Sequence, residues 1–235
     1  MRVEVILSPD EVVHHDLTGR ICVVIDVFRF TTTILTALEA GIERFLPVAE
    51  VDEALGLKQA NPQLMLAGER QALKIPGFDF ANSPLEHYGR CYPGGELAFT
   101  TTNGTKAVQS ARGAAQVILA CLRSAEAVAA YLAREGRDVV FLPAGVYGRF
   151  SLEDTWCAGF IAKLLPAEEY GDGAKAALLV CDHIPREGLV NSEHGRRLQA
   201  LNLWDDLHFC LECGVSSGIV AWDQETGWGA LVRER

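Results

Sequence analysis

The chain has 235 residues, 49% hydrophobic and 22% charged, a composition typical of a globular protein with a sizeable core. Its 21 basic and 31 acidic residues give a net charge of −10 without any basic run, which excludes a nucleic acid or an anionic membrane as the main partner. No apolar run is long enough to span a membrane, no signal-peptide core is present, and seven cysteines in mostly apolar stretches indicate reduced thiols, so we expect a cytoplasmic protein.

Apolar runs rich in Val, Ile, Leu and Phe predict strands, and amphipathic patterns between many of them predict helices. The predicted strands are 3–7, 21–27, 44–48, 64–67, 97–100, 116–120, 138–142, 217–222 and 228–232. The predicted helices are 31–40, 51–60, 104–112, 124–135, 152–165, 173–181 and 191–201.

This alternation predicts a three-layer α/β/α fold with a largely parallel sheet covered on both faces and antiparallel strands at the C-terminal end. We expect a single domain over 1–235. A division of this domain into two lobes, with a boundary near 166–173, stays an open alternative. Ligands of such sheets bind beyond the carboxyl ends of strands, so the strand-to-helix junctions are the places to search for chemistry.

The first junction follows predicted strand 21–27, where Asp26 and Arg29 precede three threonines that begin at Thr31. An aspartate at the tip of a buried strand is costly to bury unless it is paired or binds a metal. The alternative is a structural Asp26–Arg29 ion pair, with Thr31 as the helix cap.

The second junction follows predicted strand 64–67 and continues as a loop of more than a dozen residues. It contains Glu69, Arg70, Asn82 and Ser83. Loops of this length are usually functional or disordered, and the apolar side chains within this one argue against disorder. The alternative is a packed surface loop whose charges face water.

The third junction follows predicted strand 97–100, where Thr102, Asn103, Gly104, Thr105 and Lys106 form a turn that opens a helix. The backbone N–H groups at such a turn, together with hydroxyl and amine donors, form a socket for an anion. The alternative is that Thr102 or Asn103 merely caps an ordinary helix.

The fourth junction follows predicted strand 138–142 and contains Arg149, Ser151, Glu153 and Asp154. The spacing of Ser151 and Asp154 approximates a capping box and predicts a helix start at Ser151. Two adjacent acids beside an arginine suit a metal or phosphate site, although they also complement the dipole of the first helical turn.

Together the four junctions present carboxylates and cations around hydroxyls and backbone amides. Carboxylate oxygens suit Mg²⁺, and guanidinium groups suit phosphate, so we expect a Mg²⁺ cofactor and a small anionic phosphorylated substrate. The sequence lacks a Walker A motif, a Cys-x5-Arg phosphate loop, the two-aspartate loop of haloacid dehalogenases and a dinucleotide-binding glycine motif. The charged segment 193–197 lacks the arginine that precedes a phosphatase histidine, and we interpret it as a solvated helix face.

Four motifs, in one order, resemble the 2-phosphosulfolactate phosphatases, Mg²⁺-dependent enzymes associated with coenzyme M biosynthesis. They are Asp26-Val27-Phe28-Arg29-Phe30-Thr31-Thr32-Thr33, Gly68-Glu69-Arg70 with Gly77 to Pro84, Thr101 to Ala107, and Gly148 to Thr155. They span most of residues 1–165. The resemblance implies hydrolysis of (R)-2-phospho-3-sulfolactate to 3-sulfolactate and phosphate.

Under this hypothesis Asp26, Glu69 and one of Glu153 or Asp154 hold Mg²⁺, and turn 103–106 binds the phosphoryl oxygens. Arg29, Arg70 or Arg149 receives the sulfonate or carboxylate. Attack by water is our first choice, and a phosphoenzyme on Ser83, Ser151 or Asp26 is left open. Two rival functions also stay open: a phosphatase for another small phosphorylated acid, and a non-catalytic module that binds phosphate or a nucleotide. The oligomeric state is equally open, a homo-oligomer included.

Overall fold

The computed structural model describes residues 1–232 as a mixed α/β fold around one sheet. The strands are β1 (Arg2–Val5), β2 (Ile21–Ile25), β3 (Ile42–Pro47), β4 (Met65–Arg70), β5 (Leu73–Lys74), β6 (Gly95–Thr100), β7 (Gln116–Ala120), β8 (Val139–Pro143), β9 (Glu169–Tyr170), β10 (Val220–Trp222) and β11 (Gly229–Leu231). The α-helices are α1 (Phe30–Glu39), α2 (Val51–Ala60), α3 (Gly104–Ser110), α4 (Ala125–Glu135), α5 (Leu152–Leu164), α6 (Asp172–His183), α7 (Glu193–Ala200) and α8 (Trp204–Cys210). Short 3-10 helices cover Pro9–His14, Pro84–Glu86, Leu122–Ser124 and Arg186–Asn191.

The burial of β2 shows why the fold has three layers. All five residues of this strand are buried, and neighbouring residues belong to different cores. Val23 packs into a core shared with α4, α5 and α6, whereas Val24 packs into a core shared with α1 and α3. Because successive side chains of a strand point to opposite faces, helices cover both faces of the sheet. The predicted fold class is therefore confirmed.

The sheet order is β5-β4-β6-β3-β11-β10-β7-β2-β8-β1-β9. One parallel group contains β4, β6 and β3, and the other contains β7, β2, β8, β1 and β9. The β10–β11 hairpin lies between the groups and pairs antiparallel with β7 and β3, so the two groups run in opposite directions. Gly229 permits the pairing with β3, because a Cβ there would lie 2.1 Å from the Phe45 ring.

Most predicted elements agree with the structure to within a few residues, but three were missed. These are the two-residue strands β5 and β9 and the helix α8. The predicted lobe boundary at 166–173 contains β9, which pairs with Arg2 and Val3 as an edge strand of the sheet. No helix among residues 1–232 is both long enough and apolar enough to cross a membrane.

Candidate active site

A small cleft lies where the segments after β2, β6 and β8 meet β4 and α7. All four junctions singled out in the sequence contribute to its lining, and α7 contributes two further charged side chains. The polar lining residues are Asp26, Arg29, Glu69, Asn82, Thr101, Thr102, Asn103, Tyr147, His194 and Arg197.

Asp26 follows β2 directly and is 7% exposed. Its backbone is fixed by Thr31, whose hydroxyl accepts from Asp26 N at 3.2 Å and donates to Asp26 O at 2.8 Å. The pKa of Asp26 is raised to about 6: burial is the main cause, His194 and the Phe30 N–H act against it, and the nearby Glu69 and Glu153 carboxylates add smaller increases. Of its two carboxylate oxygens, only Oδ1 accepts a hydrogen bond from the described residues, from Phe30 N at 3.3 Å.

Gly104 brings the third junction against the first. A Cβ at this position would lie 2.6 Å from Asp26 Oδ2, so only glycine lets the turn after β6 approach the aspartate this closely. The Asn103 carboxamide oxygen accepts from Tyr147 N at 2.9 Å, which joins the same turn to the loop after β8. The two oppositely directed groups of strands therefore meet at the cleft.

Glu69, in β4, binds two backbone amides. Its Oε1 accepts from Thr102 N at 2.8 Å, and its Oε2 accepts from Ala72 N at 2.6 Å. The Thr102 amide, which the sequence predicts to bind the substrate, thus binds a carboxylate of the chain itself. Glu69 holds the turn after β6 against the end of β4.

Asp154 binds two loops in the same way. Its Oδ1 accepts from Val27 N at 2.8 Å and its Oδ2 from Gly145 N at 3.2 Å, which links the segments after β2 and β8. Burial raises the pKa of Asp154 well above its ordinary value, and the neighbouring Glu153 and Asp26 carboxylates add to the increase. Asp154 also donates its N–H to Ser151 Oγ at 3.3 Å, so the predicted helix cap is confirmed.

Glu153 forms a buried pair with His194 from α7. Its Oε1 lies 3.0 Å from His194 Nδ1, and Glu153 itself is 1% exposed. Burial acts to raise the pKa of Glu153, but the hydrogen bond and charge of His194 outweigh it and hold that pKa below its ordinary value. The interpretation of 193–197 as a solvated helix face is wrong for His194, because α7 places this histidine in the cleft lining beside Glu153 of α5.

Arg29 pairs with a residue that the sequence analysis did not single out. Its Nη1 lies 2.5 Å from Asp206 Oδ2, and both side chains are almost fully buried. Ser83 Oγ donates to Asp206 Oδ1 at 2.6 Å, and Arg29 Nη2 donates to Ala72 O at 3.1 Å. The Phe28–Arg29 peptide bond is cis. The alternative of an Asp26–Arg29 ion pair is therefore wrong, since the partner of Arg29 is Asp206.

Comparison with known proteins identifies the family. A family model described as 2-phosphosulpholactate phosphatase matches residues 6–225. The chain belongs to the 2-phosphosulfolactate phosphatase family. Its members are phosphoric monoester hydrolases.

Three relatives named "Probable 2-phosphosulfolactate phosphatase" show how much of the chain is shared. The relative from Clostridium perfringens (strain 13 / Type A) is 39% identical over 219 residues, 89% of each chain. The relative from Symbiobacterium thermophilum is 43% identical over 209 residues, 85% of this chain and 90% of its own. The relative from Carboxydothermus hydrogenoformans is 39% identical over 219 residues, 92% of this chain and 90% of its own.

Within this member of the 2-phosphosulfolactate phosphatase family, several predicted site residues lie apart from the cleft lining. Lys106 is exposed on α3, and Thr105 is buried, with its N–H donating to Thr101 Oγ1 at 3.2 Å. Arg70 donates to Glu69 O at 2.8 Å and to Thr100 Oγ1 at 3.0 Å. The exposed Arg149 lies 3.6 Å from Glu193.

Asn82 is the predicted residue whose bonding is least complete. It lines the cleft, it is 5% exposed, and its Oδ1 has no hydrogen-bond partner among the described residues. A buried amide oxygen without a partner is costly. Asn82 therefore brings a buried amide oxygen without a partner to the wall of the cleft.

Four residues of the site were missed by sequence reasoning: Asp206, Tyr147, His194 and Arg197. Asp206 stands in a short acidic helix start without a motif, and Tyr147 stands in a glycine turn. Arg197 belongs to segment 193–197, where the adjoining Glu, His and Arg residues were noticed. The signal that could have identified Arg197 is its spacing of three residues from His194, since residues three apart share one helix face.

The described residues contain no group of three or more His, Cys, Asp or Glu side chains that could hold a metal ion. Both oxygens of Glu69 and both oxygens of Asp154 already accept backbone N–H groups. Asp26 thus differs from these two carboxylates, because its Oδ2 accepts no hydrogen bond from residues 1–232. Asp26 with water and phosphate oxygens fits Mg²⁺, which commonly binds through one or two carboxylates and keeps several waters.

Proposed function

We propose that the chain hydrolyses (R)-2-phospho-3-sulfolactate to 3-sulfolactate and phosphate. The family and the names of the relatives support this substrate. The structural observation that carries the proposal is Asp26, a buried carboxylate at the cleft with one oxygen available to a ligand. Glu69 and Asp154 bind backbone amides instead, and they hold the loops in place around Asp26.

We propose Mg²⁺ as the cofactor, with Asp26 as its side-chain ligand. When bound, Mg²⁺ offsets negative charge on the phosphoryl oxygens and lowers the pKa of a coordinated water. Glu69 and Asp154 support the site indirectly, because their amide contacts fix the turn after β6 and the segment after β2.

The Glu153–His194 pair can move the proton that hydrolysis requires. The anionic Glu153 carboxylate accepts a hydrogen bond from the protonated Nδ1, which leaves His194 Nε2 to exchange a proton. Water attacks phosphorus and the bond from phosphorus to the ester oxygen breaks; one proton of the water stays on the phosphate, and the other passes to the departing oxygen. We assign this proton transfer to His194, since a carboxylate-oriented histidine is a common general acid and base.

The structure favours direct attack by water over a serine phosphoenzyme. The Ser83 hydroxyl donates to Asp206, and the Ser151 hydroxyl caps α5. Both oxygens therefore already have structural roles.

The proposal also includes a cytoplasmic location, which the seven free cysteines support, and a place for the product in coenzyme M biosynthesis.

Phosphate release from (R)-2-phospho-3-sulfolactate tests the proposal, with Mg²⁺ or with EDTA. Wild-type protein should turn the substrate over with Mg²⁺ and lose activity in EDTA, and Asp26→Asn should lose activity in both. Asp205→Asn, which changes an exposed carboxylate, is the matched control and should behave as wild type.

Other outcomes would select the rival functions. A substrate panel in which another small phosphorylated acid ranks far above phosphosulfolactate would overturn the substrate. Activity unaffected by EDTA would overturn the Mg²⁺ dependence. Tight binding of phosphate in EDTA without any turnover would indicate a non-catalytic binding module.

A further inference from the structure

The carboxylates of Asp26 and Glu69 line the cleft, so a substrate with more than one acidic group needs a cation whose charge is not already neutralised. Arg29 does not meet this requirement, because Asp206 neutralises it at 2.5 Å. Arg149 is exposed and pairs with Glu193, and Arg70 bonds to Glu69 O and Thr100 Oγ1 outside the cleft lining. None of the arginines expected to receive the substrate's acid group is available at the cleft.

Arg197 differs from these arginines. It lines the cleft, and no carboxylate of the described residues lies within 4.0 Å of its guanidinium. Its Nη1 donates to the Tyr147 hydroxyl oxygen at 2.9 Å, and its guanidinium carbon lies 5.3 Å from the centroid of the same ring. A phenol orients the guanidinium but does not neutralise it, so the full positive charge remains at the cleft.

Arg197 also lies where the cleft meets a neighbouring groove. Arg197, Tyr147 and His194 line both the cleft and this larger neighbouring groove. The Arg197 guanidinium therefore borders both spaces. Asn82, with its unpartnered buried oxygen, independently indicates that the cleft takes a polar ligand.

We infer that Arg197 binds the second acidic group of the substrate, the carboxylate or sulfonate beside the phosphate, and so selects phosphorylated acids over simple phosphate esters. A guanidinium matches either oxyanion through two parallel N–H donors. Tyr147 holds Arg197 in position until the substrate arrives. This inference rests on the proposed function, because it names the residue that recognises the rest of the same substrate.

A series of three substrates tests the inference. The series consists of 2-phospho-3-sulfolactate, 2-phospholactate, which lacks the sulfonate, and isopropyl phosphate, which lacks both acids. The quantity to compare is the ratio of kcat/KM for each acid to kcat/KM for isopropyl phosphate. Arg197→Met should lower this ratio about 10- to 100-fold for 2-phospho-3-sulfolactate, the usual effect of losing a charged hydrogen bond.

The 2-phospholactate arm identifies the group that Arg197 binds. If both acids lose their advantage in Arg197→Met, the group is the carboxylate, and if only 2-phospho-3-sulfolactate does, it is the sulfonate. Arg197→Lys keeps the charge but not the paired donors, and it should lower the ratio by a smaller factor. Arg196→Met removes an exposed neighbouring cation that bonds to Asn191 O, and it should keep the wild-type ratio.

An unchanged ratio in both Arg197→Met and Arg197→Lys would overturn the inference while leaving the proposed function intact. The ratio is also unchanged if both variants lose activity equally on all three substrates, and in that case Arg197 serves the phosphate or the fold. Wild-type protein that hydrolyses none of the three would instead overturn the proposed function.

Discussion

Replacing Asp26 with asparagine should stabilise the protein at neutral and alkaline pH. The folded protein holds the pKa of Asp26 at about 6, mainly through burial, against an ordinary value of 3.8. Between these two pH values the unfolded chain ionises first, so the folded state binds more protons and stability falls as the pH rises. Above pH 6 the loss is complete and amounts to about 3 kcal/mol, at 1.36 kcal/mol for each pKa unit.

Asparagine has nearly the same shape and can still accept from Phe30 N, but it carries no charge. In EDTA, Asp26→Asn should therefore exceed the wild type by up to about 3 kcal/mol at pH 8 and by only about 1 kcal/mol at pH 4.5. Urea unfolding followed by tryptophan fluorescence measures both differences. With Mg²⁺ added, the wild type should recover part of the gap, because a ligand that binds only the folded state stabilises it.

Asp205→Asn is the matched control, since the Asp205 carboxylate is exposed and should give no gain that grows with pH. The reasoning is refuted if Asp26→Asn is less stable than the wild type at pH 8 in EDTA. It is also refuted if the gain is as large at pH 4.5 as at pH 8, because the charge would then not be its cause.

Three further substitutions test the contacts around the cleft. Gly104→Ala places a Cβ 2.6 Å from Asp26 Oδ2 and should cost about 1 to 3 kcal/mol in urea unfolding, with a matching loss of kcat; a neutral result would contradict the close approach. Ser151→Ala should cost about 1 kcal/mol, measured by the same method, and no change would mean that the cap is dispensable. Arg29→Met leaves Asp206 buried and unpaired and should cost about 3 to 5 kcal/mol. The double variant with Asp206→Asn should regain most of the lost stability. If it does not, the buried Arg29–Asp206 ion pair is not the cause of the loss.

Much of the fold follows from local patterns in the chain. Strands such as β2 are continuous apolar runs, and helices such as α5 begin at a recognisable cap. The direction of the two strand groups does not follow from such patterns. It depends on β10 and β11, two strands of three residues each, which are too short to show which neighbours they pair with.

The candidate site was predictable only in part for a similar reason. Asp26, Glu69 and Asp154 stand at strand ends and attract notice through the cost of burying a charge. His194 does not, because a histidine in a charged helix looks solvated until Glu153, 41 residues earlier, is seen beside it. Asp206 lies 177 residues from Arg29, and the sequence around either residue does not indicate that they form an ion pair.

The β10–β11 hairpin has a consequence for how the site comes into being during synthesis. The hairpin joins the strand group that carries Asp26 to the group that carries Glu69, and both of its strands follow every other described strand in the chain. A nascent chain that has emerged only as far as residue 219 contains every acid of the cleft without the strands that join its two sides. The sheet, and with it the cleft, is completed only after residue 231 has left the ribosome. A premature stop between residues 219 and 231 should therefore yield a chain that has all its site residues but whose two strand groups are not joined.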